Sequence, residues 1–333
     1  MPTAPSDPVQ VEFSGFFDLQ VNGFAGVDFN QPKSTEAELH RAIAAMQATG
    51  VTQFLPTLIT SPLETFSACA RNLLHLRHPS IAGLHMEGPY ISAEDGPRGA
   101  HPKGWVRAAN ADDFQRRQEA AEGQIRLVTL APEVTGVLEL IELLVQKGVR
   151  VAIGHSAAAP EQIRDAISAG ATLSTHLGNG CANLLPRHPN LIWEQLAADE
   201  LSASLIVDGH HLPPASVKAM VRAKSPSRVL LVTDAISAAG CAPGEYELNG
   251  ERVVLDAAGR VSPPGKSWLA GSALTMARAV ANTVKFTGLS LAEVLPMATT
   301  GPANFLGLPT IGEISANWDA SNCRWLDLKT TAN

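Results

Sequence analysis

The chain has 333 residues, 45% apolar and 17% charged, which excludes a disordered polar chain and is ample for a sizeable core. Its formal charge of -7 argues against nucleic acid as the main partner, although a local basic pocket stays open. The opening residues, MPTAPSDPVQVEF, lack a basic region followed by an apolar run, and no apolar stretch is long enough for a bilayer, so neither a signal peptide nor a membrane partner is expected.

In chain order, a strand is expected at 15–21, then a helix at 34–49. That helix opens with a Thr35–Glu38 capping box and stops at Gly50. Strands follow at 51–58, 81–86 and 125–130. A helix at 135–147 stops at Gly148, and a strand follows at 149–153. The next helix, 160–169, starts on Pro160 and stops at Gly170. Strands at 171–175, 202–207 and 228–233 complete the series, with a helix at 213–224 between the last two and another at 273–287. Most of these strands are short apolar runs, as strands buried on both faces should be.

Eight strands with crossover helices predict an α/β fold, a parallel (β/α)₈ barrel spanning 1–333 as one domain. A doubly wound open sheet is the alternative, but no GxGxxG follows any strand. Residues 245–261 interrupt the rhythm and read as a β-hairpin turning at Asn249-Gly250. The polar tail from about 308 reads as a surface wrap or the remnant of a small second domain.

Polar residues collect just past the C-terminal ends of the strands, the face where barrel enzymes place their active sites. Gln20 and Asn22 follow the first strand and Glu87 the third. His155 follows the fifth, His176 the sixth, residues 208–211 the seventh and Asp234 the eighth. Two imidazoles and a carboxylate suit a divalent metal with one position left for water, whose pKa it would lower. Asp234 could then carry a proton from that water to a leaving amine. Blander roles stay open at this point: Glu87 as a helix-start charge, Asp234 as an N-cap. His40, His75 and His78 read as solvated, Arg116-Arg117 as a solvated helix face, and Trp193 as packing an outer helix onto the barrel. Cys69, Cys181, Cys241 and Cys323 form no CxxC pair and read as free packing thiols in a reducing cytoplasm.

At these residues the chain resembles the N-acetylglucosamine-6-phosphate deacetylases of the amidohydrolase superfamily. The matching pieces are GFFDLQVNG, HMEGPYIS, RGAH, GHSAA, THLGN, VDGHH, LVTDA and LAGSALTM, in the family's order. The resemblance implies an amide hydrolase that removes the acetyl group from an N-acetyl-hexosamine 6-phosphate. It implies Glu87, His155 and His176 as ligands of one divalent ion, Zn²⁺ first, with Fe²⁺, Co²⁺ and Mn²⁺ as alternatives. The usual HxH after the first strand is Gln20-Val21-Asn22 here, so a second metal position is expected to be empty. Gln20 would lie near the catalytic water, Asp234 would be the general acid/base, and His101 would polarise the acetyl carbonyl. Asn179, Gly180 and His211 match substrate-binding positions. Arg187 matches an arginine that reaches the phosphate from a neighbouring subunit, which implies a homodimer. The stretch GNGCANLLPRHPN departs from the family where it borders the sugar. The family's small β-sandwich domain is expected to be reduced or absent. The other readings are a deacetylase of another N-acyl sugar or amino compound, and a non-catalytic sugar-phosphate binding protein.

Overall fold

The computed structural model describes residues 7–248, 251–266 and 268–331. Eight strands form one parallel sheet: Phe16–Val21, Val51–Ile59, Leu84–Glu87, Ile125–Leu130, Arg150–Ile153, Leu173–Ser174, Ser202–Leu205 and Val229–Leu231. Each pairs with its sequence neighbour, as the strand–helix alternation predicts. The sixth and eighth strands are shorter than expected. The chain leaves the ladder there and turns into the loops that bear His176 and Asp234.

The first and eighth strands meet without a regular ladder. A bridge joins Val21 to Ala235. Asp234 N donates to Gln20 O at 3.0 Å, and Asn22 N donates to Ala235 O at 2.7 Å. Beneath this seam Asp18 Oδ2 accepts from Thr233 Oγ1 at 2.5 Å, and its Oδ1 accepts from the amides of Thr233 and Gln20, both at 3.2 Å. Burial pushes the Asp18 carboxyl up to about 7, against the pull of those hydrogen bonds.

The helices form where caps and periodicity favour them. Glu36–Ala48 carries the expected capping box and buries Leu39, Ala42, Ile43 and Met46, one stripe at helical spacing. Pro160–Ala169 ends on Gly170 at φ 114°, a left-handed cap that favours glycine. Two readings of the outer layer are corrected. Trp193 is 56% exposed, because Leu191–Ala197 turns Leu191, Gln195 and Leu196 inward instead. Arg117 is buried rather than solvated. It lies one turn after Asp113, pairs with it at 3.0 Å, and covers the Phe66 ring.

The 245–261 segment is a hairpin, Gly244–Leu248 with Glu251–Leu255, extended by a third strand, Val261–Ser262. Its expected turn, Asn249-Gly250, lies outside the described residues. Ile236, Leu248, Val253, Leu255 and Val261 give it a small core of its own. The chain ends also pair: Val9–Ser14 is antiparallel to Glu313–Asp319, which pairs in turn with Arg324–Thr331. Ile314 and Ala316 join the main core, while Gln10, Glu12, Asp327 and Lys329 face solvent. The tail is therefore no loose wrap. It completes a three-stranded sheet whose outer face is largely polar and needs no second sheet over it.

Asp18→Ala should strand the Thr233 amide and hydroxyl and the Gln20 amide at the seam. We expect a loss of about 2–4 kcal/mol in urea unfolding. An unchanged midpoint would show that closure does not depend on this carboxyl.

A candidate metal centre at the barrel mouth

Glu87 ends the third strand, and His155 and His176 each stand two residues beyond the fifth and sixth. His155, His176 and Asp234 adopt φ of 51°, 31° and 50°, a region L-residues enter at a cost. At each position the chain bends sharply off its strand. All three metal candidates are buried, and their donor atoms lie within 4.8 Å of one another. Glu87 Oε1 is 3.2 Å from His155 Nε2 and 3.2 Å from His176 Nε2, and the two nitrogens are 3.1 Å apart.

That triangle fits a metal ion. Donors about 2.1 Å from a tetrahedral ion stand roughly 3.4 Å from each other. His155 Nδ1 lies 2.9 Å from Pro97 O, which can only accept. The ring proton is thereby placed on Nδ1, and Nε2 is left as a lone pair aimed at the other two donors. Lone pairs this close repel unless a metal ion or a shared proton lies between them. A Cβ on Gly180, at φ 57°, would stand 3.0 Å from His155 Nδ1 and 3.1 Å from His176 Cε1, so glycine lets this loop cover both rings without crowding them.

The sequence-predicted acid/base stands beside the triangle. Gln20 Nε2 donates to Glu87 Oε1 at 2.9 Å and to Asp234 Oδ1 at 3.1 Å, and Asn22 Nδ2 donates to Asp234 Oδ1 at 2.7 Å. The two amides where the superfamily usually has histidines thus serve as hydrogen-bond donors. Burial, and then the charge of Glu87, push the Asp234 carboxyl up to about 6. The helix-cap reading of Asp234 has no support among the described contacts. His101 closes the other side, its Nε2 3.3 Å from His155 Nε2 and 3.7 Å from Glu87 Oε2. Burial, with His155 behind it, holds its imidazole well below the usual range.

The remaining candidates are placed less uniformly. Asn179 folds back, its side chain donating to His176 O at 3.1 Å. His211 Nδ1 pairs with Asp208 Oδ2 at 2.6 Å. Burial acts to raise the Asp208 carboxyl, but His211 and the amides of residues 210 and 211 hold it below its ordinary value. Arg187 is exposed on the loop before Leu191–Ala197, and no side-chain partner appears among the described residues. Sequence reasoning missed Asn22 as a partner of Asp234, Asp208 behind His211, and Thr60 behind His101. Asn22, in GFFDLQVNG, and Asp208, in VDGHH, lay inside motifs that could have flagged them, whereas Thr60 did not.

The amidohydrolase family model matches residues 13–326, and the chain belongs to that family. An N-acetylgalactosamine-6-phosphate deacetylase of Shewanella sp. (strain ANA-3) is 36% identical over 94% of this chain and 78% of its own length. The human N-acetylglucosamine-6-phosphate deacetylase is 37% identical over 88% of this chain and 74% of its own. Among solved structures, a mutant N-acetyl-D-glucosamine-6-phosphate deacetylase from Mycobacterium smegmatis, in complex with N-acetyl-D-glucosamine-6-phosphate, superposes with a TM-score of 0.86. It is 31% identical, over 95% of this chain and 87% of that one.

The purified protein should carry about one divalent ion per chain, the number one triad of this kind holds. Glu87→Ala and His176→Ala should each lose it, as read by elemental analysis. Two ions per chain would contradict the view that Gln20 and Asn22 leave no second metal position.

Proposed function

We propose that the protein hydrolyses the acetamide of N-acetyl-D-glucosamine 6-phosphate, or a close N-acetyl-hexosamine 6-phosphate, to acetate and the amino sugar phosphate. The observation that carries this reading is the buried triangle of Glu87, His155 and His176 with Asp234 and His101 on either side. A binding protein would need no proton carrier beside its metal ligands. Bound in the triangle, a divalent ion supplies Lewis acidity and a nucleophilic water at neutral pH. Zn²⁺ is our first choice, since two imidazoles and a carboxylate suit it.

The side chains then have distinct tasks. Gln20 and Asn22 hold Asp234 by Oδ1, which leaves Oδ2 to take the proton of the attacking water. The new bond joins that water oxygen to the acyl carbon, the C–N bond breaks, and Asp234 returns the proton to the leaving nitrogen. His101 donates from Nε2 to the acyl oxygen as negative charge grows there. Asn179, Gly180 and His211 are assigned to the sugar phosphate.

Relatives named for the gluco and for the galacto substrate are equally similar, which keeps both epimers in play. The stretch GNGCANLLPRHPN, which departs from the family pattern beside Asn179 and Gly180, is the other reason to keep the hexosamine open. We further read the chain as one domain acting as a homodimer, with Arg187 reaching the partner's phosphate site. No helix among the described residues is long and apolar enough to cross a membrane, and the cytoplasm is the proposed location. Acetate release from a panel of phosphorylated and unphosphorylated N-acetylhexosamines tests the reading. No release from any 6-phosphate by metal-loaded protein would refute it.

Two substitutions probe the roles. Asp234→Asn should keep fold and metal but lose activity by roughly 10²–10⁴-fold, because an amide cannot accept the water proton. Near-normal turnover would remove Asp234 from the chemistry. Arg187→Ala should lower kcat/KM for the 6-phosphate by about 2–4 kcal/mol and barely touch an unphosphorylated analogue, with lysine a partial rescue. Equal losses on both substrates would end the phosphate role. If the arginine acts across subunits, mixing Arg187→Ala with Asp234→Asn protein under exchange should restore some activity, since a hybrid dimer holds one complete site.

A further inference from the structure

The carbonyl-polarising role proposed for His101 needs its proton on Nε2, the nitrogen that faces the metal triangle. Nothing in the imidazole itself dictates that choice, because a neutral ring carries the proton on either nitrogen. The surroundings of the far nitrogen decide. His101 Nδ1 lies 2.9 Å from Thr60 Oγ1 and 3.4 Å from the Thr60 backbone nitrogen. The backbone group can only donate, so a proton on Nδ1 would confront it. The hydroxyl, free to rotate, can donate as well. The backbone group thus favours a bare Nδ1 and the hydroxyl can donate to it, which together place the proton on Nε2. We propose that Thr60 is a positioning residue that fixes the tautomer and ring orientation of His101.

The surroundings hold Thr60 for this task. It is 1% exposed and follows the second barrel strand directly. A Cβ on Gly88 would fall 2.1 Å from Thr60 Oγ1, so that glycine leaves the space the hydroxyl occupies. On the next residue, Ser61 O accepts from Arg117 Nη2 at 3.2 Å, while Arg117 Nε is held by Asp113 at 3.0 Å. Asp113 also takes the Tyr90 hydroxyl at 2.8 Å. This buried cluster accounts for an arginine inside an otherwise apolar helix contact, and it pins the loop on which the threonine sits. Proton placement on a histidine by a partner at its far nitrogen is the logic that orients metal-ligating imidazoles. Here it acts on a histidine that is not a ligand.

The inference rests on the deacetylase reading for its kinetic arm and is independent of it for the spectroscopic one. Zinc-loaded wild type, Thr60→Val and Thr60→Ser would be compared. In Thr60→Val, kcat for N-acetyl-D-glucosamine 6-phosphate should fall about 10- to 100-fold, the scale for losing a partner that orients an imidazole. KM and zinc content should stay within twofold, and Thr60→Ser should recover kcat to within about threefold. Nitrogen-15 spectra of histidine-labelled protein, assigned against His101→Asn, should show a bare Nδ1 in wild type and Thr60→Ser. In Thr60→Val they should show a mixture of tautomers or the reverse one. An unchanged kcat in Thr60→Val, a serine variant as defective as the valine one, or a bare Nδ1 in all three proteins overturns the proposal. Wild type inactive on every 6-phosphate would sink the deacetylase reading alone, and the spectra would still decide the role of Thr60.

Discussion

The site depends on the contact between the first and last barrel strands. Asp18 reaches from the first strand to both the amide and the hydroxyl of Thr233. One residue further, the Asp234 amide bonds the Gln20 carbonyl. These few bonds do the work that a ladder does at the other strand pairs. They also bring Gln20 and Asn22, from the chain's start, against an acid more than two hundred residues later. A barrel left open at this seam would still assemble Glu87, His155 and His176, which come from the third, fifth and sixth strands. It would lack Asp234 beside them, the residue proposed to carry the proton. Closure and the proposed chemistry therefore rest on the same short stretch of backbone.

The mouth of the barrel is built against local preference. Three residues of the candidate site, His155, His176 and Asp234, sit at positive φ without being glycine, each at a cost of order 1–3 kcal/mol. The strands below are largely buried, and the apolar side chains they contribute to the main core offset the strain above. His85 illustrates how the layer under the site is kept rigid. Its Nε2 lies 2.8 Å from Thr129 Oγ1, which in turn lies 2.7 Å from Thr175 Oγ1. This chain ties the third strand to the fourth and to the residue just past the sixth, next to His176, and burial holds the His85 imidazole down at about 4, so it stays neutral. A neutral floor adds no positive charge under a site meant for a cation.

The appended parts follow the same economy. The hairpin after the eighth strand closes its own small core and leaves the barrel's core intact. The terminal sheet contributes an apolar inner face to the main core and a largely polar outer face to water. A second sheet would have no extensive apolar surface to bury there.

Much of this protein is determined by local sequence. Buried parallel strands read as short apolar runs, and Pro160, Gly170 and the Thr35–Glu38 box mark helix ends through their own stereochemistry. The metal candidates and the acid were legible because a barrel gathers whatever follows its strands. Other features depend on groups that meet only after folding. Arg117 looks like half of a solvated pair until Asp113, Phe66 and Ser61 surround it. Trp193 looks like a packing residue until the helix turns Leu191 and Leu196 inward. Thr60 directly follows an ordinary run of strand residues, and no spacing links it to His101, forty-one positions away. Sequence sets the backbone preferences and the chemistry available at each position. Which nitrogen meets which hydroxyl, and which lone pairs converge on one point, is decided by tertiary structure, because hydrogen bonds and ligand fields act over a few ångströms of space whatever the distance along the chain.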